Sequence, residues 1–266
     1  MLCGEWNVGA SIEIRGVSKV FEERDKDTGL IALDNINAGI IPGEFVSILG
    51  ASGCGKSTLL RIIAGLDKAT SGTIYCDGEL VMSPNPRRGL VFQEHTLFPW
   101  MTVRGNIEFA LKSTNQYREK QHEIAEWLNL ADLESFAGSY PHQLSGGMRQ
   151  RASLVRTLAV APDVVLLDEP LGALDNFTRM TLQDELIRLW RERRSTMIMV
   201  THDVDEAIYL SQRVILMSPR PGRVKNILDI PMNYPRDRAS GDFMGLRVHI
   251  LKQLEFAKTI QEDYTI

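Results

Sequence analysis

The run Leu144-Ser145-Gly146-Gly147-Met148-Arg149-Gln150-Arg151 (LSGGMRQR) stands on the same chain as GASGCGKST, from Gly50 to Thr58. The second run fits G-x-x-x-x-G-K-[ST], a phosphate-binding loop that by itself would serve GTPases, kinases, helicases and motors alike. Its occurrence together with LSGGMRQR narrows that choice. The strand-like stretch EFVSILG precedes the loop, and LLRIIAGL follows it with Leu59, Leu60, Ile62, Ile63 and Leu66 apolar, as an amphipathic helix requires. Strand, glycine loop and helix N-terminus together make an anion site.

The chemistry of the loop follows from its residues. Gly50, Gly53 and Gly55 allow a turn tight enough to aim successive N–H groups at phosphate oxygens, Lys56 adds a point charge, and Ser57 offers a hydroxyl to Mg²⁺. The run VVLLDEP, Val164 to Pro170, has the unbroken apolar character of a parallel strand buried on both faces, and it ends in two carboxylates. Asp168 is expected to hold Mg²⁺ through its water shell. The adjacent Glu169 points to the other face and is the expected general base for the attacking water. Ser145 is a good N-cap for a helix running through MRQRASLVRTLAV, which makes a second anion-binding helix N-terminus at Ser145, Gly146 and Gly147. Cys54 lies inside the loop beside Lys56 and a helix start, so its thiol is expected to be unusually reactive, with alkylation blocking nucleotide binding.

With these runs in place, the chain from about Ile12 to Val224 resembles the nucleotide-binding subunit of an ATP-binding cassette (ABC) transporter. The resemblance implies an α/β fold: a P-loop NTPase core, with a RecA-like parallel sheet and an antiparallel β subdomain, plus an inserted helical subdomain. The core would comprise 12–93 and 159–224, the helical part 94–158, and the tail 225–266. It implies that ATP is held by Gly50, Ala51, Ser52, Gly53, Cys54, Gly55, Lys56, Ser57 and Thr58, with Phe21 stacking on adenine. Gln93 in GLVFQE matches the glutamine that senses Mg²⁺ and the attacking water, so that Ser57, Gln93 and Asp168 form the metal set. His202 in MIMVTHD matches the histidine that contacts the γ-phosphate, and Asp175 in LGALD the aspartate that couples two nucleotide sites. Ser145, Gly146 and Gly147 of one subunit would close over the ATP of another, giving a head-to-tail dimer around two ATPs.

Composition is consistent with this. The chain has 266 residues, 44% of them hydrophobic, and a net charge of −4 with dispersed basic residues, which leaves no electrostatic footprint for nucleic acid. No apolar run approaches the ~18 residues of a membrane span, and the start, MLCGEWNVGASIEIR, lacks a basic region followed by an apolar one. A membrane role is therefore expected to be peripheral, and the resemblance implies that it lies at the cytoplasmic face of the inner membrane. Cys3, Cys54 and Cys76 are scattered and odd in number, as in a reducing compartment.

Turn signals such as Asp77-Gly78 separate short strands in the first part. EKQHEIAEWLNLADL places Ile124, Trp127 and Leu128 on one helical face, and the tail is expected to carry one helix, GDFMGLRVHILKQLEF, without an added regulatory domain. Between Gln93 and Ser145, HTLFPWMTVRGNI offers Leu97, Phe98, Pro99, Trp100 and Met101. Some of these serve a small core, and the Pro-interrupted aromatic run suits a cytoplasmic helix of a membrane partner. The wording LFPWMTVRGNI, the turn SPRPGRV and the tail PRDR resemble the nitrate, sulfonate, taurine and bicarbonate importer group. Expected partners are therefore a second ATPase subunit, identical or not, two transmembrane permease subunits and an extracytoplasmic solute-binding protein, with no nucleic acid. The alternatives are an importer of another solute, an exporter or lipid-handling ATPase, and a soluble ABC ATPase of DNA repair or translation. The last usually brings a long coiled coil, for which the stretch from Gln93 to Ser145 is too short.

Overall fold

The computed structural model describes residues 9–22, 29–93, 96–172 and 174–262. Alternating strand-formers at the start give β1 (Ile12–Phe21) and β2 (Leu30–Ile40), which pair antiparallel from Ile12 opposite Ile40 to Phe21 opposite Leu30. They are followed by β3 (Phe45–Leu49), α1 (Lys56–Ala64), β4 (Ser71–Cys76), β5 (Glu79–Leu80) and β6 (Arg88–Val91). Asp77 and Gly78, with φ of 49° and 77°, make the two-residue turn between β4 and β5, the backbone form that suits the twist of a tight hairpin. A helical stretch follows: α2 (Val103–Ser113), α3 (Tyr117–Lys120), α4 (Ile124–Leu130) and α5 (Gly146–Ala159). The chain then alternates β7 (Val164–Asp168), α6 (Asn176–Arg193), β8 (Thr196–Thr201), α7 (Val204–Leu210) and β9 (Arg213–Met217), and closes with β10 (Val224–Asp229) and α8 (Gly241–Glu262).

The strands form two sheets. One is antiparallel in the order β2-β1-β4-β5; the other, in the order β10-β9-β3-β8-β7-β6, is parallel except for β10 at its edge. In the second sheet, β3, β7 and β8 are buried at every position. Their side chains divide by alternation, as the pleat demands. Phe45, Leu49, Val165, Leu167, Met197 and Met199 join the core under the helices, whereas Val46, Ile48, Val164, Leu166, Ile198 and Val200 join the core shared with α1, β1 and β2. Loss of either cover would expose a largely apolar strand face. The α/β architecture read from the sequence is the one observed, and among the described residues no helix is long and apolar enough to cross a membrane.

Two stretches differ from expectation. The segment EKQHEIAEWLNLADL is not one helix: a single 3₁₀ turn at Gln121–Glu123 separates α3 from α4. Only the second piece has an apolar face to bury, through Ile124, Trp127 and Leu128, whereas α3 buries none of its side chains. The tail, expected to carry one helix, also supplies the edge strand β10, and it is tied to α7 by polar contacts. The carbonyls that end a helix lack partners within it. Here Arg236, 5% exposed, donates from Nη1 to the carbonyls of Ile208 and Ser211, and Tyr234 donates its hydroxyl to that of Leu210 at 2.7 Å. Burial of this polar cap holds the Arg236 guanidinium below its ordinary pKa and pushes the Tyr234 phenol up to about 12.

Candidate functional site

The run Gly50–Thr58 bridges the end of β3 and the start of α1. At Gly55 φ is +102°, and a Cβ there would stand 2.7 Å from the carbonyl oxygen of Ala32 and from Leu33 Cδ2, so only glycine fits. Lys56 is 5% exposed and its Nζ spans the loop, donating to the carbonyls of Gly50 at 2.9 Å and Ala51 at 3.0 Å. The loop borders a cleft of about 290 Å³, into which Ser52, Gly53, Lys56, Ser57 and Thr58 face from one side and Gln93 and Glu169 from another. Phe21, at the end of β1 and 39% exposed, also lines it.

Cys54 corrects an expectation. The thiol is buried at 1% exposure in the aliphatic core beneath the loop, and this burial pushes it above its ordinary pKa, against the opposing pull of Lys56 and Arg220. A buried neutral thiol is a poor nucleophile, so the expected reactivity fails because the side chain turns inward rather than toward the cleft. Cys54 and Cys76 are both free.

The two carboxylates at the end of β7 separate as the alternation predicts. Asp168, 3% exposed, accepts a hydrogen bond from Ser57 Oγ at 2.8 Å, and desolvation raises its pKa. Glu169 turns the other way, at a φ of +46° that a side chain adopts only at a cost of about 1–3 kcal/mol. Its N–H is fixed on the Val200 carbonyl at 3.0 Å. One carboxylate oxygen, Oε2, accepts from Gln93 Nε2 at 3.2 Å and lies 3.3 Å from His202 Nδ1. Three strand ends, β6, β7 and β8, therefore deliver Gln93, Glu169 and His202 to a single point on the cleft.

The remaining expected residues lie elsewhere. Ser145 caps α5, its Oγ accepting from Met148 N at 3.3 Å. Asp175 caps α6, accepting from Thr178 N at 3.0 Å. Gly147 packs so closely on Leu174 that a Cβ would sit 3.0 Å from its Cδ2, which joins these two caps in one region. Neither Ser145, Gly146, Gly147 nor Asp175 lines the cleft around Lys56.

Two structurally important polar residues were missed by sequence reasoning, one on the cleft and one in the helical part. Arg220 lines the cleft and donates to the Gly53 carbonyl from Nε at 3.1 Å and Nη2 at 2.9 Å. Asn106, fully buried, holds the loop before α2 by donating to the carbonyls of Phe98, Met101 and Thr102 and accepting from Phe98 N at 2.8 Å. An amide among the apolar residues of VRGNIEFAL was the available signal.

A glycine loop between strand and helix, with paired carboxylates ending a nearby parallel strand, defines a nucleoside-triphosphate-binding α/β protein. Comparison with known proteins narrows this. The ABC transporter family profile matches residues 33–172, and the aliphatic sulfonates import ATP-binding protein SsuB of Bacillus thuringiensis subsp. konkukian is 46% identical over 94% of this chain and 98% of its own length. The SsuB protein of Bacillus subtilis is 45% identical over 87% of this chain and 89% of its own. A dimeric ATP-binding cassette in a post-hydrolysis state, bound to ADP and Pi, superposes with a TM-score of 0.74 at 35% identity, covering 84% of this chain and all of that one. The chain belongs to the ABC transporter family and is an ATP-binding ATPase of that family. These relatives fall within the importer group that the sequence resembles.

Proposed function

We propose that this chain is the ATP-hydrolysing subunit of an importer for a small anion, an aliphatic sulfonate being the best-supported solute. The convergence of Gln93, Glu169 and His202 on one point beside the phosphate loop carries the catalytic part of this reading. Glu169 takes the proton of the attacking water, while Gln93 and His202 hold its carboxylate in position. The strained backbone at Glu169 supports the same role, because such conformations gather at functional sites. Gly50 to Thr58 and Lys56 in particular hold the phosphates, and Phe21 faces the base.

A hydroxyl and a carboxylate, Ser57 and Asp168, meet at 2.8 Å beside this loop, a hard-oxygen pair that fits Mg²⁺, with Gln93 nearby. When bound, Mg²⁺ supplies positive charge to the phosphates. The caps at Ser145–Gly147 and Asp175 act across a head-to-tail dimer, since in one chain they stand outside the cleft. The ATPase unit is 12–224, with core segments 12–93 and 159–224, the helical part 94–158 and the tail 225–266. The solute is inferred from relatives named for aliphatic sulfonate import. Transport then needs two permease subunits and an extracytoplasmic solute-binding protein, with this chain peripheral at the cytoplasmic face of the membrane.

The test is Glu169→Gln. It should retain ATP binding, abolish most turnover and trap a dimer with ATP; normal turnover would remove Glu169 from its role. The trapped, tagged chain, pulled down from gently solubilised membranes, should bring a permease and a sulfonate-binding protein with it. Recovery of only soluble nucleic-acid or ribosomal factors would overturn the transport reading.

A further inference from the structure

The turn that joins β9 to β10, Ser218 to Arg223, comes far later in the chain than the phosphate loop yet is built against it. Ser218 N donates to the Arg223 carbonyl at 2.9 Å and Arg223 N donates to Ser218 Oγ at 3.0 Å, which closes the turn on itself. Gly222 N donates to the Ala32 carbonyl at 3.0 Å, and the Gly222 carbonyl accepts from Asp34 N at 2.9 Å, which stitches the turn to β2. Arg223 adds an ion pair to Asp34, with Nε at 2.7 Å. Braced on both sides, the turn holds Arg220 over the phosphate loop.

Arg220 uses one edge of its guanidinium there, Nε and Nη2 both donating to the Gly53 carbonyl. A guanidinium has five N–H groups. The other three have no protein partner among the described residues, and the group is exposed on the same cleft as Phe21, Ser52, Lys56 and Ser57. Anchoring by one edge fixes a full positive charge in place while leaving donors for an anion, a task that suits the planar arginine fork better than a lysine.

We propose that Arg220 is a nucleotide-binding residue, which, anchored on the Gly53 carbonyl, shares with Lys56 the negative charge of the bound nucleoside triphosphate. This rests on the reading of the cleft as the ATP site. The charge is fixed before binding, so it strengthens affinity without the entropic cost of ordering a long side chain. Its contribution therefore scales with the charge of the nucleotide: largest for ATP, smaller for ADP, least for AMP.

The experiment is a titration of Arg220→Gln, Arg220→Lys, Lys56→Ala and the parent protein with fluorescent analogues of ATP, ADP and AMP. Each is run with and without Mg²⁺ at several salt concentrations, beside thermal unfolding without nucleotide. Arg220→Gln is expected to weaken ATP on the order of tenfold, the worth of one charge-assisted hydrogen bond, and AMP less. Its salt dependence should be shallower than the parent's and its unfolding midpoint unchanged, with Arg220→Lys recovering part of the affinity. Parental ATP affinity in Arg220→Gln overturns the proposal. So does an equal loss for all three nucleotides with a lowered midpoint, which would make Arg220 a brace for the loop and nothing more. If Lys56→Ala also binds as the parent does, the cleft is not the ATP site and the broader reading fails; if only Arg220→Gln does, the failure is confined to Arg220.

Discussion

Gly222→Ala adds one methyl group at the point where the β9–β10 turn presses on the phosphate loop. The new Cβ would stand 2.1 Å from the Cys54 carbonyl oxygen, 2.8 Å from Met217 Cε and 3.2 Å from the Ala32 carbonyl oxygen. Met217 ends in a flexible thioether and can swing aside, but the Cys54 oxygen belongs to the loop backbone. Bringing that contact to about 3.0 Å, below which real Cβ atoms essentially never come, displaces either the loop or the turn by about 0.9 Å. Overpacking of this kind costs roughly 1–3 kcal/mol of stability. A misplacement near 1 Å of groups that position a reacting centre costs on the order of 10²-fold in turnover. Urea unfolding and steady-state ATP hydrolysis measure the two effects on one preparation. Gly245→Ala is the matched control: it lies in α8 with nothing within 4 Å of the added Cβ. As an exposed helical site it should gain up to about 1 kcal/mol. A Gly222→Ala protein with the parent's urea midpoint and turnover would refute the argument that the turn and the loop form one packed unit.

Arg236→Met should lose about 2–4 kcal/mol in urea unfolding, because the carbonyls of Ile208 and Ser211 are left buried without donors; an unchanged midpoint would show that water replaces the cap. Burial pushes the Glu206 carboxyl above its ordinary pKa despite the hydrogen bond donated by Thr201 Oγ1 at 2.7 Å. The folded state therefore holds this proton more tightly than the unfolded chain, and the group's contribution to stability is lost as pH rises through the raised value. Glu206→Gln should accordingly be more stable than the parent at pH 7 and lose that advantage below pH about 4, the range of a free glutamate; urea midpoints across pH check the sign. Thiol labelling of the native protein should leave Cys54 unmodified until urea unfolds the chain, as peptide mapping would show; rapid native labelling at this position would mean that the loop opens.

The fold was legible wherever a local pattern was strong enough to require its environment. VVLLD and TMIMVT are apolar except at their ends, Asp168, Thr196 and Thr201, and both are buried at every position. The loop glycines and the Asp77-Gly78 turn were legible for a similar reason, since backbone geometry limits which residues fit them. β10 was missed because an edge strand is half-exposed, and VKNILD shows neither an apolar run nor clean alternation. The inward turn of Cys54 depends on the β3–α1 junction and on the core below it, which no local pattern encodes. Arg220, Arg236 and Asn106 act through carbonyls, and every residue offers the same backbone carbonyl, so nothing in the partner's letter announces the contact. That Gln93 and His202 belong to the site was expected only through family likeness; strand order in the sheet supplies the physical reason that they meet at Glu169, since β6, β7 and β8 are neighbours.

The uneven placement of the indoles gives the molecule an optical property. Trp100 is 68% exposed, its ring 5.5 Å from that of Phe98, whereas Trp127 and Trp190 are 4% and 8% exposed. Trp6 lies outside the described residues. In a Trp6→Phe background, a neutral collisional quencher such as acrylamide would divide the emission into a red-shifted, accessible part from Trp100 and a shielded part from the two interior indoles. Any macromolecule that settles over the loop before α2 would darken the first route to the quencher and leave the second untouched, so intrinsic fluorescence alone reports when this face is covered.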